Sequence, residues 1–361
     1  MTDAHEAGED ILFERRGRLG LVTLNRPKAL NALTGPMARA LKRRLDAWAD
    51  DAAVEVVAIV GSGERAFCAG GDIRALYEAG RPGGERGSAN DAFYADEYRL
   101  NRTIKRFPKP YVAIMDGITM GGGVGMSIHG SVRIATERTV FAMPETGIGF
   151  FPDVGATWFL PRLSGATGMW LGLTGARLKG EEAVLAGVCD FHLPSHRIDW
   201  QLDWLAEGRW EHPPEGREIE LLTPAPGPQH ELRQHGLRQQ EAIDRVFSAR
   251  SLDAILDRLE GRDDDWAKET RETLAQKSPP SLAVAFRQLA GGAAMDFEDA
   301  MRLEYDLARF FMRHPDFYEG VRAAVVEKDR PPDWSPPTLD AGDGATIERA
   351  FAGFDDKLDF S

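Results

Sequence analysis

The chain has 361 residues, 43% of them hydrophobic, and a formal net charge of -13, enough for one large domain or two smaller ones with a packed core. So acidic a balance argues against a broad nucleic-acid surface and against electrostatic anchoring on anionic lipid, so neither a nucleic-acid partner nor a membrane partner is expected. Cys68 and Cys189 are too few for a disulfide framework and fit a reducing compartment.

Residues 1–10 form an acidic tail that lacks the basic start and apolar core of a signal peptide and the arginines of a transit peptide, so the expectation is a cytoplasmic protein. Segments 11–13 and 19–24 flank Arg16-Gly-Arg18 and predict a β-hairpin. Thr34 stands as an N-cap before Pro36, and Met37, Leu41, Leu45 and Trp48 follow at helical spacing. A buried strand is expected over 54–60, and Asp72 is placed to cap a helix over 73–79. The stretch 81–89 is rich in Gly and Arg and reads as a surface loop. A helix over 92–106 carries Phe93, Glu97, Leu100 and Ile104 on one face, which puts Glu97 among apolar neighbours, where an acid needs a partner.

The densest stretch follows. Residues 111–115 read as a buried strand, and Met120-Gly-Gly-Gly-Val-Gly125 as a glycine turn opening a helix. Such a turn lets another group approach the backbone and offers N–H groups without an internal partner, an arrangement suited to a developing oxyanion. A short strand over 139–143 is ended by Pro144, which leaves Glu145 at a strand end, and Asp153 follows eight residues later. Beside Met143, Phe150 and Phe151 two such carboxyls can have their pKa values pushed apart, one serving as base or nucleophile and the other as acid. A capping Asp and a solvated loop Glu fit the local pattern as well.

Beyond this stretch, helices are expected over 166–173 and 181–186, a strand over 188–192, a helix over 195–210 and a proline-rich crossing over 213–228. The remainder reads as helices over 231–247, 252–259, 266–276, 282–289 and 297–311. No His-Glu-x-x-His spacing, Walker loop or Gly-x-Ser-x-Gly elbow occurs, so neither a metal nor a nucleotide cofactor is expected.

Four motifs in order carry a resemblance: Ala66-Phe-Cys-Ala-Gly-Gly-Asp72, Gly117-Ile-Thr-Met-Gly-Gly-Gly-Val-Gly125, Phe141-Ala-Met-Pro-Glu-Thr146 and Gly147-Ile-Gly-Phe-Phe-Pro-Asp-Val-Gly155. Together with Phe159-Leu-Pro-Arg-Leu163 and the tail around 316–334, they resemble the crotonase (enoyl-CoA hydratase/isomerase) superfamily, and within it the 3-hydroxyisobutyryl-CoA hydrolases. The resemblance implies an α/β fold in which a spiral of ββα turns over 11–195 is followed by a mainly helical region over 196–361. It implies that the N–H groups of Gly71 and Gly122 form an oxyanion hole, that Glu145 and Asp153 are catalytic, and that Glu97, Gly122, Glu145 and Asp153 contact the substrate. Lys28 falls in the region that meets coenzyme A in the superfamily, with Arg26, Lys105, Arg106 and Lys109 as further basic candidates. Coenzyme A enters as part of an acyl-CoA substrate, and assembly into a homo-oligomer is among the expectations. A hydratase of this superfamily uses two glutamates; the first falls where this chain has Gly125, and Glu145 takes the place of the second. The resemblance therefore points to thioester hydrolysis in valine breakdown, with a hydratase or isomerase as the alternative and a non-catalytic binding protein of the same fold as another.

Overall fold

The computed structural model describes residues 8–80, 88–208, 237, 239–338 and 344–360. The expected crossing over 213–228, residues 1–7 of the acidic tail, most of the loop over 81–89, and parts of the helices over 195–210 and 231–247 lie outside them. The chain forms two compact units, one from Met1–Gly71, Arg99–Phe141 and Leu178–Arg238, the other from Asp72–Tyr98, Ala142–Arg177 and Gln239–Ser361.

The first unit is built on β-strands, numbered in chain order as β1 Ile11–Arg16, β2 Leu19–Leu24, β3 Val56–Gly61, β4 Ala66–Cys68, β5 Tyr111–Met115, β6 Ile118–Met120, β7 Val132–Ala135, β8 Val140–Ala142, β9 Leu178–Lys179 and β10 Phe191–His192. Among the described residues one sheet has the order β1-β2-β3-β5-β7-β10 and a smaller one the order β4-β6-β8-β9. The β1–β2 hairpin is antiparallel and turns at Gly17, and the pairs from β2 through β10 are parallel, as crossovers through helices require. The parallel strands β3 and β5 are apolar almost throughout, consistent with burial on both faces. Leu19, Leu21, Val56, Ala58, Val112, Ile114, Val132 and Ile134 form the centre of this core.

The helix Gly35–Asp50 begins as expected, with the Thr34 hydroxyl accepting from the Met37 N–H at 3.4 Å and a proline in its first turn. Its Trp48 ring lies over Gly20, where a Cβ would come within 2.9 Å of the ring, so only glycine fits in β2 at that point. Lys109 donates to the carbonyls of Trp48 (2.5 Å) and Asp51 (2.7 Å) and thereby caps this helix at its C-terminal end. The strand expected over 188–192 shortens to β10, because Val188 and Cys189 both donate back to the Ala183 carbonyl after the positive-φ turn at Gly187. Cys68 and Cys189 are both buried, and the Cys68 thiol donates to the Gly70 carbonyl at 3.4 Å.

The second unit is mainly helical. Asp72 caps the helix Ile73–Ala79 as expected. The helix expected over 282–289 runs over Pro279–Gly292 instead, since Ser278 caps it and both prolines sit in the first turn, where a missing N–H costs nothing. The helix Phe297–Phe311 starts and stops where its periodicity indicates, with Asp296 as N-cap. Two helices not anticipated, Pro315–Val321 and Gly344–Ala352, complete this unit.

Candidate active site

In the first unit the two glycine turns are brought together by strand pairing. β4 and β6 run parallel, with Ala66 opposite Ile118 and Cys68 opposite Thr119, so both strands release the chain at the same end. One turn is Ala69-Gly-Gly71 and the other Gly121, which has φ 45° and ψ -121° and leads into the short helix Gly122–Ser127. A Cβ on Gly123 would lie only 2.2 Å from the Cys68 carbonyl oxygen, so close approach of the two segments explains that glycine, whereas Gly70 is explained by its φ of 114°. Leu33 donates to the Gly70 carbonyl at 2.9 Å in a parallel bridge opposite Gly71. The N–H of Gly71 itself then projects from the other edge, while that of Gly122 is a first-turn donor with no intrahelical acceptor.

Among the described residues of the second unit, Glu97, Glu145, Asp153, Glu304, Asp306 and Asp316 are buried carboxyl groups, and the first four act on one another electrostatically. Glu145 opens the 3-10 turn Glu145–Ile148 directly after Pro144 and is 5% exposed; Asp153 is 4% exposed, Glu97 2% and Glu304 fully buried. Burial rules out the reading of a solvated loop Glu, and the helix Ala156–Phe159 that follows Asp153 has Gly155 as its N-cap with no side-chain cap, which rules out the capping Asp. The Asp153 Oδ2 accepts from the Tyr98 hydroxyl at 2.9 Å. Glu304, from the helix Phe297–Phe311, accepts the Gly155 N–H at 2.6 Å and the Thr157 N–H at 2.8 Å. By contrast, the Glu145 Oε2 and Glu97 Oε1 atoms are buried without a hydrogen-bond partner.

An aromatic shell surrounds the group. Phe150 stacks on Tyr94 with ring centroids 5.4 Å apart, touches Phe151 (4.6 Å), Phe311 and Phe317 (5.8 Å each), and Phe151 stacks on Phe311 at 5.6 Å. Away from water the charged form of each acid is disfavoured, and the acids repel one another's charge. Burial pushes Asp153 up to about 7, restrained by the Tyr98 hydrogen bond, and pushes Glu304 up to about 8 despite its two N–H donors. Burial, then the neighbouring Asp153 charge, holds Glu145 and Glu97 well above the usual carboxylate range. Lys277, half-buried in the same unit, acts in the opposite sense on Glu145.

The 3-10 turn carrying Glu145 is clamped on its C-terminal side. Gly149 has φ 69°, and a Cβ there would fall 2.2 Å from the Asp316 carbonyl oxygen; a Cβ on Gly320 would fall 2.3 Å from the Ile148 carbonyl carbon. The helix Pro315–Val321 thus lies backbone to backbone against the turn. Ser278 adds a hydrogen bond from its N–H to the Thr146 carbonyl at 3.0 Å, and its hydroxyl donates to Asp316 at 2.6 Å.

The enoyl-CoA hydratase/isomerase family profile matches residues 19–351. The chain belongs to this family. Curated relatives named mitochondrial 3-hydroxyisobutyryl-CoA hydrolase include one from Danio rerio, 45% identical over 98% of this chain and 92% of its own length, and one from Homo sapiens, 39% identical over 94% and 87%. Among solved structures, an enoyl-CoA hydratase from Rhodobacter sphaeroides matches with a TM-score of 0.84 at 37% identity, covering 96% of this chain and 98% of that one. A carnitinyl-CoA dehydratase from Mycobacterium thermoresistibile matches with 0.83 at 38%, covering 98% and 99%. The fold is therefore the crotonase fold expected from the motifs.

Glu97, Glu145 and Asp153 all lie in one unit, and Gly71 and Gly122 emerge from paired strands of the other. Lys28 is exposed on the 3-10 turn Pro27–Ala29, whereas Arg26 is engaged by the Ala32 carbonyl and Asp10, and Lys109 by the helix end described above. Tyr98 and Glu304 escaped the sequence reading. Both carry a signal in hindsight: Glu304 interrupts the apolar stripe Phe297, Met301, Ala308 and Phe311, and Tyr98 sits four residues after Tyr94 on the buried face of its helix. Among the described residues no group of His, Cys, Asp and Glu is placed to hold a metal ion, and no helix is long and apolar enough to cross a membrane.

Proposed function

We propose that the chain hydrolyses 3-hydroxyisobutyryl-CoA to 3-hydroxyisobutyrate and coenzyme A, with the N–H groups of Gly71 and Gly122 holding the thioester oxygen and with Glu145 and Asp153 moving the protons. The observation that carries the reading is the pairing of unlike acids: Asp153 held by Tyr98, and Glu145 with a buried oxygen left without a partner. Burial holds both acids above the usual carboxylate range, and their mutual repulsion disfavours a second negative charge, so the pair keeps a proton that can move between them. Transfer of the Glu145 proton to Asp153 leaves one negative charge in the pair and creates the carboxylate that the chemistry needs. That carboxylate either attacks the thioester carbon or takes a proton from the attacking water; in both routes the C–S bond breaks and protonated Asp153 supplies the proton to the departing thiolate, and in the first route water, giving a proton to the Asp153 carboxylate, then cleaves the Glu145 anhydride to release the acid and restore the Glu145 carboxyl. Each oxyanion donor contributes a rate factor on the order of 100 to 1,000. Glu97, with its unpartnered oxygen, is the residue that meets the acyl group, and Lys28 meets the nucleotide end of coenzyme A.

A role in valine breakdown follows from the substrate. The mitochondrial address in the relatives' names belongs to those proteins, and a cytoplasmic location for this chain is a proposal that rests on a cysteine content too low for a disulfide framework. The names of the solved relatives favour hydration or dehydration as the second reading. Gly125 argues against it, since a glycine, buried here within the helix Gly122–Ser127, cannot hold water or transfer a proton as the first hydratase glutamate does.

The test is a paired assay on the purified protein, following thiol release from 3-hydroxyisobutyryl-CoA and loss of the enoyl absorbance of crotonyl-CoA. Thiol release without enoyl loss is expected, and Glu145→Gln and Asp153→Asn, each with its fold verified by circular dichroism, are expected to lower kcat by about 100-fold or more. Enoyl loss in place of thiol release would establish the hydratase, and silence in both assays would favour a binding protein.

A further inference from the structure

We propose that Glu304 is a positioning residue for the reaction: it grips the turn that follows Asp153 and so fixes the Asp153 carboxyl against Tyr98 and Glu145. The inference rests on the hydrolase reading for its kinetic consequence. The turn Asp153-Val154-Gly155 is not a conformation the chain adopts by default. Val154 has φ 53° and Gly155 φ 90°, two successive residues in the left-handed region, and a β-branched side chain is disfavoured there. Such a turn persists only when its surroundings over-determine it.

Glu304 supplies that constraint. Its two carboxyl oxygens divide between the Gly155 N–H and the Thr157 N–H, which bracket the start of the short helix Ala156–Phe159, at 2.6 and 2.8 Å. Both are main-chain groups, so what is fixed is the path of the backbone two residues beyond Asp153. The other side of the turn is held by Gln288, whose Nε2 donates to the Pro152 carbonyl at 2.5 Å. Asp153 thus sits between two anchors from separate helices, Pro279–Gly292 and Phe297–Phe311. A fully buried carboxyl is costly to keep, and an apolar residue at 304 would complete the stripe of its helix and leave the core drier. Leaving an acid there is explained by the two N–H groups it satisfies, each of which would otherwise be orphaned in the interior.

Since a misplacement of about 1 Å at a reacting group can cost about 100-fold in rate, the loss of this grip should appear in kcat and not in KM. Glu304→Gln keeps one acceptor oxygen of nearly the same shape, and Glu304→Ala keeps none. With 3-hydroxyisobutyryl-CoA, kcat is expected to fall about tenfold in Glu304→Gln and about 100-fold in Glu304→Ala, with KM within about twofold of the parent. Amide hydrogen exchange at Gly155 and Thr157, read by NMR, is expected to accelerate in the same order. Parent-like kcat in a folded Glu304→Gln, or equal losses in kcat and substrate binding, would overturn the positioning role. Should the parent itself release no thiol, the hydrolase reading fails, and unchanged exchange at Gly155 and Thr157 in Glu304→Gln would then overturn the grip independently. If Glu304→Ala does not fold, Glu304→Gln alone decides between these outcomes.

Discussion

Burial makes the charge on Asp153 hard to form, and the Tyr98 hydroxyl is the reason it is not harder. A hydrogen bond to the ionised form stabilises that form, so Tyr98 works against the burial that pushes Asp153 up to about 7. If turnover needs one negative charge shared by Asp153 and Glu145, the pH profile is a bell: activity climbs as the first proton leaves the pair and declines as the second leaves. Replacing Tyr98 by Phe removes the donor while keeping the ring that packs on Tyr94. The Asp153 carboxyl then rises further, and the ascending limb of the kcat profile moves to higher pH, with the loss of activity largest at acidic pH and recovered as the pH is raised. A profile in Tyr98→Phe that is lowered uniformly and keeps its ascending limb in place would mean that Asp153 does not set that limb.

The turn Glu145–Ile148 and the helix Pro315–Val321 are fitted to each other by the absence of two side chains. An added methyl at Gly320 would meet the Ile148 backbone at 2.3 Å, and at Gly149 it would meet Asp316 at 2.2 Å in a residue that also needs positive φ. Backbone cannot move aside as a side-chain tip can, so Gly320→Ala is expected to cost about 1 to 3 kcal/mol in urea unfolding and to lower kcat through displacement of Glu145. Gly149→Ala should cost more, since about 1 to 2 kcal/mol of left-handed strain is added. Stability and kcat close to the parent's in Gly320→Ala would show that the two elements are not clamped. Much of the architecture is legible because its causes are local: the Thr34 cap, the Gly17 hairpin and the period of the helix Phe297–Phe311 are all written within a few residues of where they act. The acids at 145 and 153 are legible too, as a motif, but their burial is not, because the shell around them draws on Tyr94, Phe311 and Phe317 from remote stretches. The Glu304 hydrogen bond to Gly155 joins residues 149 apart, and no periodicity can announce that. The prolines at 279 and 280 illustrate the opposite failure, a breaker signal that marked a helix start.

Burial raises the pKa of each of Glu97, Glu145, Asp153 and Glu304, and this links function to stability. Asp153 binds its proton up to about 7 when folded but releases it near 3.8 when unfolded, and Glu304 behaves likewise between 4.5 and about 8. Because both values are raised on folding, the folded state is favoured by these groups below about pH 4, and that contribution is lost progressively as the pH climbs through the folded values. The residues of a catalytic group are commonly kept at such a cost to stability. Asp153→Asn cannot ionise in either state and retains an oxygen to accept from Tyr98, so it escapes the penalty. Its stability should therefore exceed the parent's by an amount that is small near pH 4, grows between pH 4 and 7, and levels off above pH 7 at on the order of a few kcal/mol, and its melting temperature should rise in the same pattern. Parallel thermal scans of the two proteins from pH 4 to 8 measure this directly. A difference that stays flat across the range would mean that Asp153 titrates alike in the folded and unfolded chains, and with it the case for a charge shared between Asp153 and Glu145 near neutral pH would be lost.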